Sequence, residues 1–426
     1  MKKFVPSYLQ FIEIWSVINN ENMEGSNKMN KVFEEVKIGE ITFKNRIIRS
    51  ATHEGMCNEN GEPNEELIKK FEQLAKGGAG AIITGFVGIM SNGNAPSKYM
   101  PMIDSDEKID SFKKLVQRVH SYDTPIIMQI AHCGRQTRSK VTGYPTVAPS
   151  PIKDKLYNED RPHELTEDEI YEIIDNFVLG IERAKKAGFD GVELHAAHGY
   201  LLSSFLSPHM NKRKDKWGGN TENRFRIVKE ILLRARERVG DYTIIAKINA
   251  YEKAKDGMNI EEAIKISKYL EEAKCDAIDV SCGIEEDGLW TLRGNFPFEM
   301  MAHDNHRIKK IPKSFRKIAK PFIKMQFESP KPYKLFNVPS AEKIKKEVNI
   351  PIIVVGGIRR LDEIKEIIEN NKSDIVAMSK PFIIEPNIVN KFKEGKQEES
   401  RCIDCNYCII GIEERPLKCY YGKLPK

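Results

Sequence analysis

The run HAAHGYLLSSFLSP (residues 195–208) brings His195, His198 and Tyr200 within six positions, directly behind the strand-like segment GVEL. Two neutral imidazoles whose N–H groups aim at one oxygen polarise a carbonyl or hold a phenolate. A phenol hydroxyl, inert at neutral pH, supplies a proton beside them. Zinc binding by the histidine pair is the competing reading, and it fails because no nearby carboxylate or cysteine completes a tetrahedral set. The bland reading is a satisfied polar network with Tyr200 as a rim aromatic.

Such groups act only if a rigid frame points them at one place. The chain alternates short β-branched runs with long amphipathic ones. The short runs are RIIRSAT (46–52), GAIITGFV (80–87), PIIMQIAH (125–132), GVELHAAH (191–198), TIIAKINA (243–250), AIDVSCG (277–283), PIIVVGGI (351–358) and DIVAMSKP (374–381). Between them lie helical candidates such as NEELIKKFEQLAKGG, TEDEIYEIIDNFVLGIERAKKAG and NIEEAIKISKYLEEAK, several opened by Asp, Asn or Thr and closed by Gly. Eight strand–helix units with buried parallel strands predict an α/β fold, the TIM (β/α)8 barrel. A doubly wound open sheet is disfavoured because IIRSATHEGM offers no Gly-rich phosphate turn after the first strand.

Strand parity then sorts the side chains. In TIIAKINA the apolar Ile244, Ala246 and Ile248 face the helices, which sends Lys247 and Asn249 into the barrel. The same alternation turns Val192 and Leu194 outward, Glu193 and His195 inward, and pairs inward Gln129 with Ile127. Buried polar groups are expensive unless paired or used, and several of them on different strands favour a site at the C-terminal mouth. His198 has the opposite parity to His195, so both reach one ligand only if the chain bends, which Gly199 permits.

With these residues in view, ELHAAHGYLLSSFLSPHMNKRKDKWGGNTENRFRIVKEI resembles the signature of the old yellow enzyme family of FMN-dependent oxidoreductases. KNRIIRSATHEGM, IIMQIAHCGRQ, AKIN, IIVVGGI and MSKPF resemble that family's first, third, fifth, seventh and eighth strand segments. The resemblance implies an FMN-binding barrel over residues 31–400, in which His195 and His198 match the pair gripping the substrate oxygen and Tyr200 matches the proton donor. Ser50, Ala51 and Thr52 match the segment along the isoalloxazine edge, with Phe86 beside it, and Gln129 matches the amide on its pyrimidine part. Lys247 matches a cation near N1, where many relatives carry Arg, and Gly356, Gly357, Ser379 and Lys380 match the phosphate site. His53 falls where relatives carry a residue near the flavin. The implied activity is that of an NAD(P)H:flavin oxidoreductase reducing the C=C bond of an α,β-unsaturated carbonyl compound of enoate or dienoyl type. Amine dehydrogenation or demethylation, and a non-catalytic flavin redox sensor, are the alternatives.

The tail RCIDCNYCIIGIEERPLKCYYG places Cys402, Cys405, Cys408 and Cys419 in a C-x2-C-x2-C-x10-C arrangement. In a reducing cytoplasm such a cluster binds metal rather than forming disulfides, with zinc and a 4Fe–4S cluster as the choices. Its likeness to the segment after the barrel in the 2,4-dienoyl-CoA reductase branch favours 4Fe–4S. Those enzymes continue into further flavin- and nicotinamide-binding domains, whereas residue 426 ends this sequence with no further βαβ unit. The expectation is a barrel-only hybrid that takes electrons from a separate ferredoxin or flavoprotein, or directly from NAD(P)H.

Residues 284–339 form a long insertion after strand six, and its basic stretch HRIKKIPKSFRKIAKPFIKMQ either covers the flavin and contacts a reactant's phosphate or forms a solvated basic helix packed on the barrel rim. The net charge of +6, from 68 basic and 62 acidic residues spread along the chain, is too mild for a nucleic-acid surface. No apolar run is long enough to span a membrane, so a cytoplasmic protein is expected. Residues 1–30 read as a loose extension, with Met29 as an alternative start, and the Cys-rich segment occupies 401–426. Assembly into a homo-oligomer is compatible with the sequence.

Overall fold

Eight parallel strands close on themselves in the order of the chain: β1 (Ile47–Arg49), β2 (Ile82–Ile83), β3 (Ile126–Ala131), β4 (Gly191–Ala196), β5 (Thr243–Asn249), β6 (Ala277–Ser281), β7 (Ile352–Val355) and β8 (Ile375–Met378). β8 pairs with β1 and β2 with β3, so no edge is left open. This computed structural model describes residues 31–95, 99–157, 161–304, 308–326, 329–412 and 415–424. The expected loose extension over 1–30 therefore lies outside the described residues. The TIM barrel expected from the alternating runs is the fold observed, and each of the eight runs supplies one strand.

Around the barrel lie α1 (Glu65–Lys76), α2 (Ile109–His120), α3 (Glu167–Lys186), α4 (Thr221–Val239), α5 (Ile260–Glu272), α6 (Val338–Lys345), α7 (Leu361–Glu369) and α8 (Ile388–Lys393). The polar residues before them act as caps. Asn64, Asn220 and Asn259 accept from backbone N–H groups of the first turn, and Thr166 with Glu169 forms a reciprocal capping box. Each such cap contributes about 1 kcal/mol and fixes where the strand-to-helix loop must end.

The strand parity is as the alternation requires. Val192, Leu194, Ile244, Ala246 and Ile248 join the outer core between strands and helices. Ile48, Ile83, Ile127, Ile245, Ala277, Ile353 and Ile375 form a separate inner cluster, stoppered from below by Ile38, Ile41 and Phe43. Those three sit on an antiparallel ribbon, Val36–Ile38 with Ile41–Phe43. Its turn needs Gly39, with φ +54, because a Cβ there would lie 2.6 Å from Thr243 Oγ1. The barrel is thus dry and apolar at its base, and its polar interior is confined to the C-terminal half of the strands.

After β6 the chain leaves the barrel until α6. Its basic stretch contains the helix Lys313–Gln326. Ile323 joins a satellite cluster with Phe298, Met301 and Ile410, and Lys320 pairs with Glu299, so the helix rests on Phe298–Asp304. Phe315, Ile318, Phe322 and Met325, spaced along one face, are exposed. The parts of the insertion that do reach the strand ends are its two limbs, Ile284–Arg293 and Tyr333–Asn337, through contacts to His198, Tyr251 and Gly357. Among the described residues no helix is long and apolar enough to cross a membrane.

Candidate functional site

One turn of the barrel wall above the apolar base, the inward side chains become ionic. Gln129 stands opposite Glu193, and Lys247 stands opposite both His195 and Asp279. Gln129 Nε2 donates to Glu193 Oε1 at 2.6 Å, while Lys247 Nζ pairs with Asp279 and lies 3.9 Å from Glu193 Oε1. Burial works against the charge on Lys247, but Asp279 and Glu193 outweigh it and lift its pKa above the ordinary lysine value. Burial raises the Glu193 carboxyl above the ordinary carboxylate range, with the Lys247 charge opposing and Asp279 reinforcing the rise. Glu193 Oε2 and Asp279 Oδ1 are buried and have no hydrogen-bond partner among the described residues.

Above this layer, β4 ends in the loop carrying the two histidines. His198 takes the left-handed conformation, φ +63, followed by Gly199 at φ +86, and this is the bend that its opposite parity demanded. A non-glycine residue at positive φ is strained, and here it is over-determined. The His198 N–H donates to Asn249 Oδ1 (3.1 Å), its carbonyl accepts from Gln136 Nε2 (2.9 Å) and from the Glu285 N–H (3.1 Å), and its Nε2 shares a hydrogen bond with Ser281 Oγ (2.7 Å).

The three candidate residues converge. The His195 ring centroid lies 5.2 Å from that of His198 and 4.7 Å from that of Tyr200, with Phe86 5.2 Å from Tyr200. His195 Nδ1 is buried without a hydrogen-bond partner among the described residues. Burial, with the nearby Lys247 charge, drives the His198 pKa down to about 3 and that of His195 well below its ordinary value. Both imidazoles are therefore neutral across the physiological range, the state in which a ring N–H polarises an oxygen without adding a net charge. Burial raises the Tyr200 phenol well above the ordinary tyrosine range, and Glu285, Cys133 and Tyr157 add to the rise. The phenol thus stays protonated until something more basic than solvent meets it.

The remaining candidates sit on neighbouring strand ends. Ser50, Ala51 and Thr52 follow β1, and the Thr52 hydroxyl is 2.8 Å from Ser379 Oγ after β8, which joins the two strand ends. His53 stacks on Phe86 at 4.7 Å, and both of its ring nitrogens are buried and have no hydrogen-bond partner among the described residues. Gly356 and Gly357 hold φ +139 and +70, and a Cβ on Gly357 would lie 2.2 Å from the Tyr333 carbonyl. Lys380 points elsewhere. Its Nζ donates to the carbonyls of Leu292 and Arg293 and pairs with Asp404 at 2.9 Å, so its charge is directed at the cysteine segment.

Several polar residues of this mouth were not singled out from the sequence. Asp279 and Ser281 obey the same inward parity in AIDVS as Lys247 and Asn249 do in β5, so the signal was present. Glu285, Tyr157 and Arg293 carry no local signature. Arg293 stacks 4.3 Å over the Phe336 ring beside Gly356 and keeps a buried Nε without a partner.

Cys402, Cys405, Cys408 and Cys419 line one small pocket together with Lys380, Asn406 and Tyr421. The segment folds back on the barrel through Arg359, which reaches both the Cys402 carbonyl and Asp404, and through the Leu417 N–H donating to the Glu54 carbonyl. Among the described residues no three His, Cys, Asp or Glu side chains converge tightly enough to hold a metal ion.

The sequence profile of the NADH:flavin oxidoreductase / NADH oxidase family matches residues 31–286 and 295–399. An NADH oxidase of Thermoanaerobacter brockii is 38% identical over 383 residues, covering 89% of this chain and 53% of that protein. A cinnamate reductase of Clostridium sporogenes is 30% identical over 402 residues, covering 89% of this chain and 55% of that protein. The chain thus spans about half the length of these curated relatives. A solved 2-naphthoyl-CoA reductase complex superposes with a TM-score of 0.77 at 24% identity, over 92% of this chain and 56% of that one, a likeness of fold.

Proposed function

The chain belongs to the NADH:flavin oxidoreductase / NADH oxidase family, and from that premise we propose that it is an FMN-dependent ene-reductase acting on an α,β-unsaturated carbonyl compound. The observation that carries the reading is the convergence of two neutral, buried imidazoles and one buried phenol above a barrel wall that holds a charged lysine. The residues fit the cofactor: among the described residues, buried polar atoms without a hydrogen-bond partner occur on Glu193 and His195 of β4, on Asp279 of β6 and on His53 after β1, and paired glycines follow β7. Ser50, Ala51, Thr52, Phe86, Gln129 and Lys247 would hold the ring system. Gly356, Gly357 and Ser379 would hold the phosphate, with Arg293 as the cation beside them, since Lys380 Nζ is turned to Asp404 and to the Leu292 and Arg293 carbonyls. When bound, FMN supplies the hydride chemistry, NAD(P)H being the reductant.

The chain's own residues do the rest. His195 and His198 donate to the substrate oxygen, so that negative charge building there during reduction is met by oriented N–H dipoles. Tyr200 gives its proton to the α carbon. Phe86 and the neighbouring loops exclude water, which strengthens both interactions. The likeness to a cinnamate reductase supports the conjugated-carbonyl class.

The four cysteines are read as ligands of a 4Fe–4S cluster rather than of zinc. They line one pocket together, and four cysteine thiolates are the donor set such a cluster takes. A separate ferredoxin or flavoprotein would then deliver electrons there. The test is the absorption spectrum of anaerobically purified protein with iron, sulfide, zinc and flavin analysis. FMN in stoichiometric amount, iron and acid-labile sulfide are expected, and Cys408→Ser should remove iron and sulfide while flavin stays. Protein unable to retain FMN supplied in excess contradicts the proposal, and zinc without sulfide contradicts the cluster.

A further inference from the structure

Of the three successive acidic residues Glu285, Glu286 and Asp287, one touches two phenols. Glu285 Oε1 accepts from the Tyr200 hydroxyl at 2.9 Å, and Oε2 accepts from the Tyr157 hydroxyl at 3.0 Å. Tyr200 is 4% exposed, whereas Tyr157 is half-buried in a turn whose preceding residue, Leu156, is 45% exposed. One carboxylate therefore links a phenol sealed in the mouth to a phenol near solvent.

Backbone contacts set this arrangement. The Glu285 N–H donates to the His198 carbonyl at 3.1 Å, and Ile284 forms a bridge with His198, so the carboxylate is tied to the loop that carries the candidate imidazoles. Tyr157 is held by Asp154, whose Oδ1 accepts from its N–H at 2.8 Å, and by the Arg138 guanidinium 5.6 Å over its ring. Glu286 is committed elsewhere, to Arg135 at 3.3 Å with both side chains buried and to the Lys155 N–H at 3.1 Å. The titratable groups around the Tyr200 hydroxyl are Glu285, Tyr157 and Cys133, and burial first, then Glu285, holds the Cys133 thiol well above its ordinary value. Cys133 is thus no proton source.

We propose that Glu285 is a positioning residue that governs the proton supply of Tyr200, holding its hydroxyl at rest and returning a solvent proton to it through Tyr157. The inference rests on the reading of Tyr200 as proton donor. The balance is one proton per alkene reduced. The Tyr200 O–H bond breaks as the C–H bond at the α carbon forms, and the phenolate left behind takes a proton from the Glu285 carboxyl. That carboxyl has taken its own from water by way of the Tyr157 hydroxyl and turns about Cγ–Cδ to present it. No electrons move in this relay. A phenolate in so dry a pocket is costly, so turnover depends on its prompt reprotonation.

Glu285→Gln keeps the acceptor oxygen and the shape but cannot carry the proton, and Tyr157→Phe breaks the outer link at a half-buried site. With Tyr200→Phe as reference, steady-state alkene reduction by either variant should fall by about ten- to a hundredfold, with kcat rather than KM bearing the loss. The solvent isotope effect on kcat should rise, and oxidation of the reduced enzyme by ferricyanide, which needs no carbon protonation, should match wild type. In the cofactor-free chain, Glu285→Gln should lower the pH at which Tyr200 ionises, read as the tyrosinate absorbance that Tyr200→Phe abolishes. If Tyr200→Phe slows reduction but Glu285→Gln and Tyr157→Phe turn over like wild type, the relay is wrong and the Tyr200 reading stands. If Tyr200→Phe itself is without effect, the reading on which the relay rests is wrong. Should Glu285→Gln fail to fold, Tyr157→Phe decides the same question alone.

Discussion

Tyr200→Phe is expected to slow reduction of a conjugated carbonyl substrate by roughly 10²–10⁴-fold, the range for loss of a positioned general acid. The ring packing against Phe86 and His195 survives the change, because only the hydroxyl is lost. Glu285 keeps its bond from Tyr157, so no carboxylate is stranded. Reduction of the flavin by NAD(P)H requires no proton at the α carbon and should stay within about twofold of wild type. Rapid-mixing measurements of the two half-reactions separate these outcomes. An equal loss in both would mean that the phenol holds the cofactor or the fold, and the proton-donor assignment would be withdrawn.

Lys247→Met should produce the largest loss of stability of any single change in the barrel wall. The lysine neutralises Asp279 and lies near Glu193, and all three side chains are buried. Removing it leaves two carboxylates in a dry interior, a defect worth roughly 3–5 kcal/mol. The sign of its pH dependence follows from the carboxylates. Burial already raises Glu193 above its ordinary value of 4.5, so the folded chain holds a proton there that the unfolded chain has released. Unfolding free energy therefore falls as pH rises past that ordinary value, and levels off only above the raised, folded one. Without Lys247 the folded carboxyl is raised further, so the variant goes on losing stability where wild type has levelled off, and the deficit should widen above about pH 8 in urea or thermal unfolding. Glu193→Gln in the same background should flatten the curve. A deficit that does not change with pH would place the cost in packing rather than in charge.

Much of this was legible in the chain because buried parallel strands must be apolar on the helix side. Ile244, Ala246 and Ile248 fix the parity of β5, and Lys247 and Asn249 then have nowhere to point but inward. The bend at His198 was likewise readable, since its parity conflicts with that of His195 and a glycine follows. Contacts made across long stretches of chain were not. Tyr200 meets Glu285 across 85 residues and Tyr157 meets it across 128, and no local pattern announces such meetings. Lys380 sits where a phosphate cation was expected, yet Asp404, a residue of the distant tail, redirects it. For the basic stretch the orientation stayed open, because an amphipathic helix normally buries its apolar face and here Phe315, Ile318, Phe322 and Met325 of Lys313–Gln326 face outward.

The ribbon that plugs the lower end of the barrel has a practical consequence. Ile38, Ile41 and Phe43 complete the inner apolar cluster from below, and none of them contributes to the polar layer above. Cohesion and chemistry are therefore housed at opposite poles. Rim segments that carry none of the proposed site residues, such as the helix Lys313–Gln326, should be exchangeable with those of other family members to make working chimeras, provided the base is left as it stands.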